Sequence, residues 1–194
     1  VDGPAACIKE LGLEDTRIGL VGEDILSSSI PHDHFKHLSA EIPDASFENF
    51  TFAMHGMMKI PSTEELAWFK KGAAYSDLGV AALIEGAAPG ATDNQLYARI
   101  QQSYLSQPNG VFYFTWMGST PMADPACSYP FDLPSGRTLC KGAIILTEIS
   151  GAYHCYAGQI MHPVVLGQPT PQYRDMFECA REVYFGAQEV LKPS

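Results

Sequence analysis

The strongest constraint on the fold of this chain is a change of hydrophobic periodicity at Asn109-Gly110. Before this turn, apolar residues recur at three- and four-residue spacing, which predicts helices. After it, residues 111–117 are aromatic and β-branched, which predicts a strand that ends at Gly118. Helices and strands therefore come in consecutive blocks, and this order is typical of an α+β fold.

The helical block consists of two predicted helices in tandem. Ser62 followed by Glu65 forms a capping box that begins a long helix, and Pro89-Gly90 cannot continue it. Thr92 and Gln95 repeat the capping pattern for a second helix that runs to residue 105. Near the end of the chain, helical spacing of apolar residues predicts a further amphipathic helix over residues 171–191.

The strand block contains three more apolar runs. Residues 143–149 and 152–156 predict a hairpin that turns at Ser150-Gly151, and residues 159–166 predict a third strand. Several prolines between residues 119 and 141 predict a long loop without regular structure, and loops of this length often carry function.

Residues 1–60 show shorter elements. They predict a helix over 5–13, a strand over 18–21, a helix over 32–40 and a strand over 47–52, which together resemble part of an α/β unit. Because the first residue is Val rather than Met, we expect this chain to be a section of a longer protein.

Composition excludes several classes of function. The 194 residues include 12 Lys+Arg and 22 Asp+Glu, so the net charge is -10 and the scattered cations offer no stripe for nucleic acid. No run approaches the roughly 20 apolar residues of a membrane span, and the first residues do not resemble a signal peptide. Five cysteines without a CxxC pair indicate reduced thiols. A soluble, cytoplasmic protein is therefore expected.

Three phrases in this order resemble the pita-bread family of creatinase, prolidase, aminopeptidase P and methionine aminopeptidase. Residues 59–65 (KIPSTEE) resemble the entry to its catalytic domain, residues 88–92 (APGAT) its Pro-Gly-x-Thr helix break, and residues 143–165 its metal-binding hairpin. The resemblance implies the tail of a creatinase-type amino-terminal α/β domain in residues 1–60. It implies the first half of a pita-bread catalytic domain in residues 61–194, with both ends of the protein missing.

The resemblance also places the family's metal ligands on particular residues, and the ligands differ. The first metal-binding Asp falls on Glu148 and the second on the neutral Gln159, while the family Arg falls on His162. The family His after the first strand has no counterpart, because no His occurs between His55 and His154. A pair of hard divalent ions needs several carboxylates. We therefore predict no metal cofactor, unless the missing half supplies enough ligands for one.

Glu148 is the leading candidate for a catalytic residue, because it lies inside an apolar strand where an unpaired carboxylate is costly. It would bind a cationic substrate nitrogen or act as an acid/base; the alternative is a solvent-facing position. Gln159, on the neighbouring strand, is the second candidate for a catalytic residue: it would lie beside Glu148 and orient a polar substrate, or would be a surface residue. Tyr156, His162 and Trp116 are candidate substrate-binding residues, with plain packing as the alternative.

Two other groups of residues resemble sites less closely. His32, His34 and His37 are close in sequence but lack further ligands, so an exposed helix start is expected rather than zinc. Cys127 has no neighbouring base or cation, so packing is expected rather than nucleophilic catalysis.

The resemblance implies a hydrolase that acts on a C–N bond of a small amino-acid derivative or dipeptide, without the usual dinuclear metal site. The alternatives are an Xaa-Pro metallopeptidase with altered ligands, and a catalytically inactive binding homologue. A homodimer is expected, and the apolar face of the helix over 171–191 needs a partner surface.

Overall fold

A computed structural model of the chain describes residues 3–22, 30–126 and 134–192. Internal contacts divide the chain into two units, Val1–Ser62 and Thr63–Ser194. The assignment of residues 1–60 and 61–194 to two domains of the family stays a prediction.

The first unit alternates short helices with a two-stranded parallel sheet. Its elements are α1 (Gly3–Glu10), β1 (Arg17–Leu20), α2 (His32–Glu41), β2 (Ser46–Asn49) and α3 (Thr51–Met58). β1 and β2 pair from Arg17↔Ser46 to Leu20↔Asn49, and Phe35 of α2 packs edge-on against Phe47 with ring centroids 5.2 Å apart. The predicted strand over 47–52 is too long. The Asn49 side chain accepts a hydrogen bond from the Thr51 backbone N–H at 2.9 Å, and α3 begins there.

The second unit opens with the two predicted helices, α4 (Thr63–Gly86) and α5 (Asp93–Leu105). The capping box at α5 is confirmed: Thr92 Oγ1 accepts from the Gln95 N–H at 3.2 Å, and Gln95 Oε1 accepts from the Thr92 N–H at 3.0 Å. Behind this cap, the buried Asp93 carboxylate accepts hydrogen bonds from the backbone N–H groups of Ser135 and Gly136. The start of α5 therefore anchors the segment that precedes the strand beginning at Ala143.

An antiparallel sheet follows. It consists of β3 (Gly110–Pro121), β4 (Ala143–Tyr153), β5 (Tyr156–Met161) and β6 (Val164–Val165), with β4 between β3 and β5 and with β6 also paired to β4. The chain ends in α6 (Pro171–Val190), whose N-cap Thr170 accepts from the Tyr173 N–H. None of the described helices is both long and apolar enough to cross a membrane.

The predicted hairpin turn at Ser150-Gly151 is wrong. β4 runs straight through these residues, and the turn lies at His154-Cys155, where both residues have positive φ (46° and 67°) as a type I′ turn requires. Gly151 serves a different purpose, because a Cβ there would lie 2.8 Å from the Ser76 backbone nitrogen of α4. Close packing of a helix on the strand, rather than a turn, accounts for this glycine.

The predicted end of the aromatic strand at Gly118 is also wrong. Gly118 pairs with Leu146, and β3 continues to Pro121 opposite Ala143. The predicted loop is correspondingly shorter at its start, and its residues 127–133, including Cys127, lie outside the described part of the chain.

The two faces of this sheet have different environments. On the helix-packed face, defined by Thr115, Met117, Ile145, Thr147 and Ile149, α4 and α5 form the main core with the sheet. The second face is defined by Phe114, Trp116, Leu146, Glu148, Ser150, Gln159 and Met161, which alternate with those residues along the strands. At the Ile144 end of the second face, a cavity of about 640 Å³ lies between the sheet and α6.

Candidate functional site

Glu148 lies in the middle of β4 on the second face of the sheet. The register places Trp116 of β3 directly opposite it on one side and Met161 of β5 on the other. Its side chain is only 3% exposed. Removing a carboxylate from water costs several kcal/mol unless charge or hydrogen bonds compensate, so a carboxylate at this depth needs polar or charged partners.

Trp116 brings an aromatic ring next to that carboxylate. It is partly buried, and its ring packs against Phe114 with centroids 5.0 Å apart. Residues directly opposite on antiparallel strands have Cβ atoms about 5 Å apart. A carboxylate and an indole at this spacing form a suitable pair for a cation, through charge on one side and the ring face on the other.

Gln159 is on the same face but one row away from Glu148. It stands opposite Ser150, so it is the diagonal neighbour of Glu148 rather than its direct partner. Its side chain is exposed, and with Met161 it lines a cavity of about 480 Å³. The structure therefore brings Gln159 to the same face as Glu148, one row away along the sheet.

Tyr156 lies on the opposite side of the sheet from these residues. Its hydroxyl donates a hydrogen bond to Glu65 Oε1 of α4 at 3.1 Å, and its ring packs edge-on against Phe69 with centroids 5.0 Å apart. Desolvation, together with the neighbouring Glu65 carboxylate, raises the pKa of Tyr156. The structure does not bring Tyr156 together with Glu148.

His162 directly follows β5 at the rim of the second face. Its backbone N–H donates to the Thr147 carbonyl at 3.2 Å, and the Thr147 hydroxyl donates to the His162 carbonyl at 2.8 Å. With Leu146 and Met161, it lines a small cavity of about 130 Å³. His162 therefore directly follows Met161, the residue that pairs with Glu148.

Ser150 belongs to the same face, and the sequence analysis missed it. Its side chain is fully buried, two residues beyond Glu148 on β4 and opposite Gln159. The Ser-Gly pair resembled a turn, which hid the period-two alternation of one continuous strand. Extending the strand to Tyr153 would have identified Ser150 as a neighbour of Glu148.

The donors that this chain contributes do not fit a pair of divalent metal ions. At the two positions where the resemblance expects anionic ligands, Glu148 is the one carboxylate and Gln159 is a neutral amide. Hard divalent ions need several charged oxygens. Within residues 3–22, 30–126 and 134–192, no three His, Cys, Asp or Glu side chains gather into a metal-binding group, and this includes the segment with His32, His34 and His37. The metal content of the complete protein stays a prediction.

Comparison with known sequences identifies relatives along most of the chain. Residues 67–194 match the sequence profile of metallopeptidase family M24. The chain is 24% identical over 192 residues to an Xaa-Pro dipeptidase of Pyrococcus horikoshii, covering 96% of this chain and 48% of that protein. It is 23% identical over 180 residues to an Xaa-Pro dipeptidase of Lactobacillus helveticus, covering 92% and 47%. The chain thus spans about half the length of these curated relatives.

Solved structures share the fold. The prolidase from Pyrococcus horikoshii OT3 superposes with a TM-score of 0.76 at 19% identity, covering 96% of this chain and 52% of that one. A zinc-substituted E. coli aminopeptidase P superposes with a TM-score of 0.68 at 16% identity, covering 92% and 41%. The predicted pita-bread fold, present over about half of the reference chains, is confirmed.

Proposed function

This chain belongs to metallopeptidase family M24, and on that premise we propose that the complete protein hydrolyses a C–N bond in a small amino-acid derivative or dipeptide. The observation that carries this proposal is the buried Glu148 carboxylate between Trp116 and Met161 on the second face. A carboxylate this deeply buried, on a sheet face that also carries polar neighbours, is a candidate for a site that binds a ligand.

In the proposed site, Glu148 binds a cationic nitrogen of the substrate. Trp116 offers its ring to the same cation, and Gln159, one row away, donates or accepts a hydrogen bond with a neutral group of the substrate. His162 closes the rim beside Met161. Tyr156 is left out of this proposal because it lies on the opposite side of the sheet.

The reaction itself is a hydrolysis. A water oxygen adds to the electrophilic carbon, the C–N bond breaks, and the departing nitrogen takes up the proton that the water loses. The residues of this chain hold and orient the substrate. We propose that the residue that accepts and returns the proton belongs to the part of the protein outside these 194 residues.

We further propose that the reaction uses no dinuclear metal centre. The support is the donor set of the second face, in which an amide replaces one of two expected anions. The rival within the family is an Xaa-Pro metallopeptidase with altered ligands, which the names of the relatives favour. Elemental analysis of the purified full-length protein separates the two. A stoichiometric pair of divalent metals would overturn the metal-free proposal and favour the rival.

The central test replaces Glu148 by Gln in the full-length protein. Glu148→Gln keeps the shape and removes the charge, so the loss of a charge-assisted hydrogen bond should lower kcat/KM by about ten- to a hundredfold. Creatine-like amides and Xaa-Pro dipeptides are the substrates to assay. Glu189→Gln makes the same chemical change at an exposed position near the end of α6 and should leave kcat/KM unchanged.

The outcomes divide the proposals cleanly. If Glu148→Gln and wild type have equal activity, Glu148 is not part of the site. If the wild-type protein turns over none of these substrates but binds them in calorimetry, the protein is an inactive binding homologue and the hydrolase proposal fails.

We also propose that the complete protein is a cytoplasmic homodimer. The described cysteines Cys7, Cys140, Cys155 and Cys179 are free thiols, which suits a reducing compartment. Apolar side chains on α4, including Leu66, Leu78 and Ile84, are exposed and available for a partner surface. Light scattering on the full-length protein would measure its mass, and a monomer at micromolar concentration would contradict the dimer.

A further inference from the structure

Ser150 carries a hydroxyl whose burial has no structural explanation. The residue is fully buried in the middle of the sheet, and its Oγ has no hydrogen-bond partner in the part of the chain that the structure describes. A buried hydroxyl without a partner costs about 1–3 kcal/mol, so native proteins pair nearly all of them. An alanine would fill the same space without that cost.

A second buried serine nearby shows what a structural hydroxyl looks like. Ser76 of α4 accepts a hydrogen bond from the Gly151 N–H at 2.8 Å and donates to the Gly158 carbonyl, so it joins the helix to two strands. Ser76 contacts the helix-packed face at Gly151, the residue that follows Ser150, and so lies on the other side of the sheet from the Ser150 side chain. Among the described residues, the Ser150 hydroxyl forms no such hydrogen bond.

The position of Ser150 points to a ligand. It follows Glu148 on the same face after one strand repeat of two residues, about 6.6 Å. Gln159 stands directly opposite it, and the cavity of about 480 Å³ borders this row at Gln159 and Met161. Glu148 is almost as deeply buried as Ser150, so the two polar side chains share one dry row of the second face.

We propose that Ser150 is a substrate-binding residue, whose Oγ donates a hydrogen bond to a carbonyl or carboxylate oxygen of the molecule that Glu148 holds by its cationic nitrogen. This inference rests on the proposed function. It deepens it by specifying the substrate class: a small molecule with a cationic nitrogen at one end and an acceptor oxygen a few bonds away. In this arrangement Glu148 binds the cationic nitrogen, and Ser150 binds the acceptor oxygen.

The test compares Ser150→Ala with Ser119→Ala in the full-length protein. Ser119 is a matched control, because its Oγ is also buried without a partner among the described residues, but it stands opposite Ile145 on the helix-packed face. Kinetic constants are measured on the substrate that wild type hydrolyses best, and melting temperatures are measured in parallel. Ser150→Ala should lower kcat/KM by about three- to tenfold, the loss of one neutral hydrogen bond. Its melting temperature should stay equal or rise, since no protein hydrogen bond is lost.

Ser119→Ala should leave kcat and KM unchanged. Ser150→Thr, which keeps the hydroxyl, should retain more activity than Ser150→Ala wherever its melting temperature matches that of wild type. Unchanged kinetics for Ser150→Ala, or a loss equally present in Ser119→Ala, would overturn the proposal for Ser150.

The Glu148→Gln variant distinguishes this failure from a failure of the proposed function. If Glu148→Gln is impaired and Ser150→Ala is not, only the role of Ser150 is lost. If both variants match wild type, or if wild type hydrolyses no substrate in the panel, the proposed function fails and the role of Ser150 fails with it.

Discussion

The two faces of the β3–β4–β5 sheet bury different kinds of side chain. On the helix-packed face, Ile145 and Ile149 are fully buried against α4 and α5. The buried hydroxyls of Thr115 and Thr147 on the same face form hydrogen bonds within the protein. On the second face, the same strand buries the polar side chains of Glu148 and Ser150. The difference teaches that burial alone does not identify a core residue. We take the buried isoleucines as core residues and the buried Glu148 and Ser150 as candidates for the proposed site.

The largest expected effect comes from removing a core side chain of the helix-packed face. Ile149→Ala deletes a fully buried side chain and should destabilise the protein by about 2–5 kcal/mol through lost burial and a residual cavity. Met161→Ala, on the second face and 62% exposed, is the comparison and should cost less than about 1 kcal/mol. Urea unfolding of both full-length variants measures the difference. Equal losses would show that the two faces are packed alike.

Two helical glycines should respond in opposite directions to replacement by alanine, which usually stabilises a helix. A Cβ at Gly72 of α4 would overlap the backbone carbonyl of Tyr156, so Gly72→Ala should destabilise by about 1–3 kcal/mol despite the better helix propensity of alanine. Gly186 of α6 has open space around it, so Gly186→Ala should stabilise by roughly 0.5–1 kcal/mol. Thermal unfolding checks both changes. A stabilised Gly72→Ala would mean that α4 does not press on β5 as described.

A buried hydrogen bond of the helix-packed face gives a smaller effect. Tyr104 of α5 and Thr115 of β3 share a hydroxyl–hydroxyl bond of 2.9 Å, and both residues are buried. Tyr104→Phe leaves the Thr115 hydroxyl unpaired and should cost about 1–2 kcal/mol. Combining it with Thr115→Val should recover part of that loss in denaturant unfolding. Additive losses would contradict a direct bond between the two.

The same tyrosine should make stability fall at alkaline pH. Burial raises the pKa of Tyr104 above its ordinary value of 10.0; its bond to Thr115 opposes this, and the nearby Tyr97 adds to it. The folded state therefore holds the phenol proton more tightly than the unfolded chain does. This stabilisation is complete below pH 10.0 and is lost as the pH rises through the folded-state pKa. The free energy of unfolding should decline less steeply in that range for Tyr104→Phe than for wild type.

The smallest expected effect concerns the aromatic neighbour of Glu148 on the second face. Trp116→Leu keeps an apolar side chain and removes the ring face that would meet a substrate cation, a contribution of about 0.5–1 kcal/mol. KM should rise by about two- to fivefold for a cationic substrate. A neutral analogue of the same size should show no such rise. An equal rise for both would assign Trp116 to packing rather than to cation binding.

Local rules predicted most of the helices and failed where two rules competed. The capping box at Thr92 and the spacing over residues 171–191 gave α5 and α6, because a cap and an apolar stripe act within one element. Ser150-Gly151 has the composition of a turn, yet close packing of α4 on β4 needs Gly151, and that contact is remote in sequence. The element α3 was missed because the side-chain bond that precedes it depends on where β2 ends.

The candidate site shows the same division. Glu148 was predicted because a charge inside an apolar run is visible in the sequence. Which residues share its face depends on the register, and the mistaken turn at Ser150 concealed that register. Tyr156 and Gln159, close in sequence, lie on opposite sides of the sheet because side chains alternate along β5.

The turn at His154-Cys155 has a consequence for the order in which the chain folds. β4 and β5 are joined by two residues, so their pairing closes a very short loop and costs little conformational entropy. Hairpins of this kind form within about 1–10 μs. The pairing of Pro121 with Ala143 closes a much longer connection. We therefore expect Glu148 and Gln159 to reach their diagonal arrangement early in folding, in a local step. Trp116 should join them later, when β3 pairs with β4 across the longer connection.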